Sequence, residues 1–212
     1  ANDIEASGIS DIFRIPKFAH YFYQSQKDSD VGIFSKPMVY VANYWNKNSS
    51  SNLRVYSNCE EVALYINNEL VEKKLAETNS YSTYLKYPPF NFQINTFTPG
   101  RLKAVGFING KEVVQHTVST SKKAFKIKLE IDTSGKVLKI GEDDIVFIYA
   151  SILDENNTVV TDANHKVDFV IESDLAEIIG PTEVNTEAGI ATILLRTNYT
   201  KELINITAKA KN

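Results

Sequence analysis

The groups best suited to chemistry are three pairs of adjacent carboxylates: Glu60-Glu61, Asp143-Asp144 and Asp154-Glu155. Two carboxylates in one site can act as general acid and base, or they can bind calcium. Neighbouring residues of a strand point to opposite faces of the sheet, so such a pair cannot converge on one substrate atom. Residues 154–157 also lack the alternating oxygen ligands, central glycine and terminal glutamate of a calcium loop. We therefore predict solvated charge in turns and at strand edges.

No other side chains form a recognisable catalytic or metal-binding pattern. His20, His116 and His165 are isolated in the sequence, and none has a second ligand at a metal-binding spacing. The single cysteine, Cys59, cannot form an intrachain disulfide, and the two glutamates that follow it disfavour a thiolate. The G-x-S-x-G motif and the glycine-rich phosphate-binding motifs are absent. We predict no catalytic, cofactor-binding or metal-ligating residue, and no cofactor.

One aromatic residue is a candidate for sugar binding. Trp45, the only tryptophan, ends a predicted strand together with Asn46, beside a loop rich in serine and asparagine. An indole ring stacks well on a sugar ring, so Trp45 and Asn46 are candidate sugar contacts. The alternative is a buried tryptophan that fills the core of a sandwich. The sequence favours the buried alternative and leaves the sugar contact open.

The composition fits a folded chain of about two domains. Of the 212 residues, 43% are hydrophobic and 23% are charged, unlike the composition of disordered proteins. The formal net charge is -3, and the clustered lysine and arginine that bind nucleic acid are missing. No apolar run approaches the about 20 residues of a membrane helix, and residues 1–8 do not resemble a signal peptide. We expect a soluble chain with no nucleic-acid partner and no membrane insertion.

The first 35 residues have the spacing of a helix. Pro16 suits a first helical turn, and Phe18, Tyr21, Phe22 and Ser25 follow the i, i+3, i+4, i+7 pattern. This pattern predicts an amphipathic helix over residues 16–26, followed by a polar loop over residues 27–32. Because about three turns are marginally stable alone in water, the helix must pack on a neighbouring surface.

From residue 36 the pattern changes to short β-rich runs separated by turn residues, which is typical of antiparallel sandwiches. Asn67-Asn68 and Asn109-Gly110 predict tight hairpins, and the small polar residues 119–123 predict a domain boundary. The predicted strands span residues 38–45, 53–57, 61–66, 69–77, 90–97, 100–108, 111–118, 125–132, 137–139, 145–153, 158–160, 166–172, 176–179, 189–196 and 202–209. We therefore predict a mainly β chain with two antiparallel β-sandwiches and a short N-terminal helix.

Several segments resemble the C-terminal region of glycoside hydrolase family 2. Residues 8–17 (GISDIFRIPK) and 21–25 (YFYQS) resemble the last catalytic-barrel helix of bacterial members similar to β-galactosidases. Residues 37–46 (PMVYVANYWN) look like the family's strand that ends in a Trp-Asn pair. Residues 53–67 (LRVYSNCEEVALYIN) are similar to the most specific of these signatures. More loosely, residues 143–156 resemble the family's terminal immunoglobulin-like domain.

The resemblance implies a remnant of the last barrel helix in residues 1–35, then immunoglobulin-like β-sandwiches over residues 36–121 and 122–212. The family's two catalytic carboxylates would lie upstream of residue 1, so the chain itself is not expected to be an enzyme. The parent protein would hydrolyse O-glycosyl bonds, in the manner of a β-galactosidase, and would be periplasmic or secreted. This chain would brace the catalytic barrel of the same polypeptide and shape its cleft or oligomer contacts. A carbohydrate-binding module and an adhesin-like spacer stay open as alternatives.

Overall fold

The computed structural model describes residues 8–30, 35–138, 142–172, 174–198 and 202–211. Within this part of the chain there are one short helix and four antiparallel sheets. The predicted fold class is therefore confirmed. The chain divides into two compact units, Ala1–Thr120 and Ser121–Asn212. The domain limits drawn from the sequence, including the barrel-helix remnant over residues 1–35, stay predictions.

The first unit is a helix on a two-sheet sandwich. Its elements are α1 (Phe18–Ser25), β1 (Val39–Val41), β2 (Asn52–Ser57), β3 (Glu61–Ile66), β4 (Glu69–Leu75), β5 (Phe90–Gln93), β6 (Arg101–Ile108) and β7 (Lys111–Ser119). The sheet orders are β1-β2-β5 and β4-β3-β6-β7. Alternation along the strands places apolar side chains inward, as in β5, where Phe90 and Phe92 are buried and the other two residues are exposed. The inward side chains of both sheets form one core cluster.

The two predicted hairpins of this unit are confirmed. Asn67 and Asn68 have φ of 50° and 71°, and Asn109 and Gly110 have φ of 51° and 72°. Two successive positive φ values are the signature of a type I′ turn, whose twist matches that of the flanking strands. These turns join β3 to β4 and β6 to β7.

The second unit is another two-sheet sandwich. Its strands are β8 (Lys126–Asp132), β9 (Asp144–Leu153), β10 (Lys166–Ile171), β11 (Ala176–Ile179), β12 (Glu183–Asn185), β13 (Ile190–Thr197) and β14 (Ile206–Lys211). The sheet orders are β11-β13-β9-β8 and β12-β10-β14. The long apolar run of β9 pairs with β8 on one side and β13 on the other, as expected of a central strand.

Several predicted limits need correction. The helix is two residues shorter at its start and one residue shorter at its end than predicted, and β1 ends at Val41, because its pairing with β2 ends at the Val41–Val55 pair. Residues 137–138 form no strand, and Lys139 lies outside the described residues. Residues 158–160 make a single bridge, between Leu153 and Val159. The sequence did not predict β12, because three residues with a single apolar side chain are too few to show an alternation, and they pair with a distant strand, β10.

Candidate functional site

Trp45, the candidate sugar-stacking residue, lies in the core of the first unit. Its side chain is 0% exposed, and its ring packs edge-on against Phe97 with 4.9 Å between centroids. A sugar ring could not stack on this indole unless the core opened. Trp45 is thus inside the sandwich, which is the alternative that the sequence favours.

The backbone at Trp45 adopts an uncommon conformation. Its φ of 50° lies in the left-handed region, which bulky residues rarely adopt. The Trp45 N–H donates to Asn43 Oδ1 at 2.6 Å, and the Trp45 carbonyl accepts from Thr120 Oγ1 at 2.9 Å. Its indole Nε1 is buried and has no acceptor among the described residues. The two hydrogen bonds of the Trp45 backbone therefore hold the indole ring in a position where its N–H has no acceptor. Such a buried, unpaired N–H costs about 1–3 kcal/mol of stability.

Asn46, the second candidate sugar contact, is half-buried in the turn after Trp45. Its backbone N–H donates to Ser49 Oγ at 2.9 Å, and its Oδ1 accepts from the Asn48 N–H at 3.0 Å. The Ser49 hydroxyl in turn donates to Asn43 Oδ1 at 2.7 Å. These bonds explain the shape of the turn. A sugar contact by Asn46 stays a prediction.

Helix α1 is attached to the sandwich by a stack of three rings. Tyr21 lies parallel to Tyr40 of β1, with centroids 3.5 Å apart and planes 6° apart. On its other side Tyr40 stacks on His116 of β7, with centroids 4.4 Å apart. Burial raises the pKa of the Tyr40 hydroxyl, and the neighbouring Tyr21 raises it further. The stack connects the helix to one strand from each sheet of the unit.

His116 also makes a hydrogen bond between the two sheets. Its Nδ1 accepts from the Val41 N–H of β1 at 3.1 Å. Only a neutral imidazole with its proton on Nε2 can accept in this way. Burial lowers the pKa of His116, which keeps the ring neutral. The sequence showed His116 as an isolated histidine, since Val41 is far away in the chain.

Asn58 fixes the segment that follows the helix. Its Nδ2 donates to the carbonyls of Lys27 and Lys36, each at 3.0 Å, and its Oδ1 accepts from the Met38 N–H at 2.7 Å. The side chain is buried, and both of its amide hydrogens and its oxygen are used. Sequence reasoning missed this residue, because a buried asparagine leaves no periodic pattern.

A second polar contact lies at the end of the helix. Gln26 Nε2 donates to the Tyr87 carbonyl at 2.8 Å, and the Tyr87 hydroxyl donates to Asp28 Oδ1 at 2.8 Å. Lys86 Nζ lies 2.5 Å from the same Asp28 oxygen. The Lys86 ammonium and the Tyr87 hydroxyl lower the pKa of the Asp28 carboxyl. The helix end is therefore tied to the segment that precedes β5.

The carboxylates of two of the acidic pairs form local hydrogen bonds and ion pairs. Glu60 Oε2 accepts from the Asn109 N–H at 2.6 Å, whereas Glu61 forms an ion pair with Lys73 at 2.8 Å. The two carboxylates thus have separate partners: Glu60 lies in the bend before β3, and Glu61 is the first residue of that strand. Within the described residues, no group of three or more His, Cys, Asp or Glu side chains could hold a metal ion.

Asp154 of the third pair is a buried carboxylate that closes a turn. It accepts from the backbone N–H groups of Lys122, Asn156 and Thr158 at 2.8–2.9 Å. Burial opposes the charged form, but these three N–H donors outweigh it, so the pKa of Asp154 is lowered. Glu155 instead pairs with the Lys122 ammonium at 2.6 Å. The pair therefore organises the start of the second unit.

Cys59 is buried beside the turn between β2 and β3. Its backbone N–H donates to Ser57 Oγ at 3.0 Å. Burial raises the pKa of its thiol, so a thiolate is disfavoured, as the sequence indicates.

No helix among the described residues is long and apolar enough to span a membrane.

Comparison with known proteins finds glycosidases. A family model described as a domain of unknown function, DUF4982, matches residues 48–114. A β-galactosidase of Thermoanaerobacter pseudethanolicus is 33% identical over 97% of this chain. A β-glucuronidase of Formosa agariphila is 26% identical over 96% of it. The chain spans only 28% and 21% of the length of these two relatives.

Solved structures agree with the sequence comparison. A β-glucuronidase from glycoside hydrolase family 2 matches 96% of this chain with a TM-score of 0.79 and 25% identity. A β-glycosidase from Bacteroides vulgatus gives the same coverage and TM-score at 22% identity, which shows the shared fold. This chain covers 21% and 26% of those two chains.

Proposed function

Because the chain is an accessory region of the family 2 glycoside hydrolases, we propose that it braces the catalytic barrel of a longer enzyme. The names of the relatives support a parent hydrolase that acts on β-galactosides or β-glucuronides. The chain itself is non-catalytic in this proposal, and it shapes the cleft or the oligomer contacts of the parent. The parent is a periplasmic or secreted enzyme.

The observation that carries this proposal is the rigid attachment of helix α1. The segment that resembles the end of the barrel stacks through Tyr21 on the first sandwich and is tied to it by Gln26 and Asn58. A helix held by both ring stacking and buried hydrogen bonds cannot swing on a flexible linker. Such a helix fixes the position of whatever packs on its other side.

The outer surface of this region is apolar enough for such packing. Ile9, Ile12, Tyr23 and Tyr44 are 45–62% exposed, and we call these four residues the helix rim. Burying apolar surface contributes about 25 cal/mol per Å². Four exposed large side chains, one on the helix and three on the segments before and after it, support a contact with another domain of the parent.

The test compares the full-length enzyme with its Ile12→Glu/Tyr23→Glu variant. Glutamates on the helix rim would bury unpaired charge at the proposed contact, which is costly. We expect the temperature of half-inactivation to fall by about 5 °C or more. This temperature is measured from the activity that remains after heating, with nitrophenyl β-galactoside and nitrophenyl β-glucuronide as substrates.

The matched control is Leu70→Glu, at a residue of the edge strand β4 that is 56% exposed. This variant should inactivate at the wild-type temperature. In the 212-residue chain alone, neither variant should change the unfolding temperature, because all three side chains are exposed there. Equal thermal inactivation of the rim variant and the wild-type enzyme would contradict the bracing role.

A further inference from the structure

A cavity of about 670 Å³ opens at one end of the first unit. The turn between β2 and β3 forms one wall, and residues on either side of a turn, 75–78 and 85–90, contribute another. Its lining combines apolar side chains such as Leu85 and Phe90 with polar ones such as Asn109 and Glu60. This volume and this mixture are typical of sites for small ligands.

Two exposed tyrosines lie on the chain segment that connects two parts of the cavity lining. Tyr81 and Tyr84 are 95% and 101% exposed, so neither ring is buried against the described residues. They lie between Thr78 and Leu85, which both line the cavity. Large aromatic side chains that are this exposed, on a segment flanked by residues that line a cavity, indicate a binding surface.

The turn that carries the two tyrosines is held by its own hydrogen bonds. Asn79 Oδ1 accepts from the Tyr81 N–H at 2.9 Å, and the Asn79 N–H donates to Ser82 Oγ at 2.8 Å. The Leu85 N–H donates to the Ser82 carbonyl at 3.1 Å, and Ser82 is only 5% exposed. The rings are therefore presented by a turn that is formed before any ligand arrives, which reduces the entropy lost on binding.

The charges around the cavity narrow the class of ligand. Asp30 and Glu60 contribute carboxylates to the lining. Lys86 is the one cation among the described lining residues, and it is already paired with Asp28 at 2.5 Å. An acidic ligand would meet uncompensated negative charge here, whereas the hydroxyl groups of a neutral ligand can donate to carboxylates.

We propose that Tyr81 and Tyr84 form a stacking platform for a neutral oligosaccharide, which extends from the platform into the cavity. A sugar presents both an apolar ring face for tyrosine and hydroxyl donors for Asp30 and Glu60. A β-galactosidase is among the relatives of this chain, so we favour a neutral carbohydrate over a protein as the occupant. This site shares no residue with the helix rim, and it goes beyond the bracing role.

The test titrates the 212-residue chain with four neutral probes: β-1,4-galactotetraose, cellotetraose, mannotetraose and xylotetraose. Trigalacturonate serves as the acidic probe. We expect calorimetry to show binding of at least one neutral probe below about 1 mM. Tyr81→Ala/Tyr84→Ala should weaken it by at least about tenfold, because each lost ring removes a stacking surface. Trigalacturonate should not bind.

The matched control is Tyr23→Ala, since Tyr23 is a tyrosine of the same unit that is 59% exposed. It should bind the sugar like the wild type. Unchanged Trp45 emission confirms that each variant is folded. The proposal is overturned if no neutral probe binds, if the double variant binds normally, or if trigalacturonate binds equally well. Since Tyr81→Ala/Tyr84→Ala changes no residue of the helix rim, each of these results would leave the bracing role standing.

Discussion

The hydrogen bond between His116 and Val41 makes the stability of the first unit dependent on pH. A protonated imidazole cannot accept the Val41 N–H, and burial lowers the native pKa of His116 from its ordinary value of 6.5. The unfolded chain therefore takes up this proton at a higher pH than the native chain does. The stability due to neutral His116 is complete above about pH 6.5 and is lost as the pH falls through the lowered native pKa.

The magnitude follows from two contacts. In His116→Ala the Val41 N–H, on a residue with 0% exposure, loses its acceptor at a cost of about 1–3 kcal/mol. The loss of the stack on Tyr40 adds about 0.5–1.5 kcal/mol. We expect His116→Ala to lower the free energy of unfolding by about 1.5–4.5 kcal/mol at pH 8. His116→Asn keeps an acceptor near the place of Nδ1 and cannot titrate, so it should cost less.

The assay is urea unfolding followed by the emission of Trp45, which reports the first unit alone because it is the only tryptophan. Titrations are made at several values between about pH 8 and pH 5. The free energy of unfolding should fall with pH in the wild type and more gently in both His116 variants. His165→Ala, in the second unit, should leave the Trp45 transition unchanged.

Two results would refute this reasoning. Parallel pH profiles for the wild type and His116→Asn would mean that another group titrates. A cost near zero for His116→Ala at pH 8 would mean that the bond to Val41 contributes nothing to stability.

Three further substitutions test the packing. A Cβ at Gly106 would lie 2.6 Å from Cys59 Sγ, so Gly106→Ala should cost about 1–3 kcal/mol, and Cys59→Ala should recover part of that; additive costs in the Trp45 transition would contradict the contact. Asp154→Asn should destabilise the second unit by about 1–3 kcal/mol at pH 7, measured by circular dichroism. This difference should vanish as the pH falls through the lowered pKa of Asp154, and a difference that persists in acid would refute the role of its charge. Trp45→Phe removes the unpaired indole N–H as well as volume, so it should lower the free energy of unfolding by less than the about 3–5 kcal/mol expected for Trp45→Ala. Both variants are followed by circular dichroism, and equal losses would contradict this expectation.

The fold could be predicted where the determining interactions are local. β3 and β11 have the limits predicted from the sequence, because turn residues and apolar alternation lie within the segments themselves. The Asn67-Asn68 hairpin is equally local. By contrast, β12 pairs across the sheet with a strand that precedes it, and its own three residues carry little signal.

The functional surfaces depend on contacts between distant residues. His116 accepts from Val41, 75 positions away, and Asn58 holds a segment 31 positions before it. Whether a tryptophan or tyrosine is buried is also decided by tertiary packing. The sequence therefore left two alternatives for Trp45, a sugar contact and a buried core residue. The exposure of Tyr81 became visible only in the structure.

Hydroxyl-radical footprinting of the tyrosines tests the bracing role most directly. In the 212-residue chain, Tyr23 and Tyr44 are 59% and 49% exposed, and both should be labelled. In the full-length enzyme, we expect the labelling of these two rim residues to fall sharply while Tyr81 and Tyr84 stay labelled. Equal labelling of Tyr23 and Tyr44 in both proteins would contradict the claim that the helix rim packs on the barrel. Protection of Tyr81 and Tyr84 without sugar would overturn the oligosaccharide site.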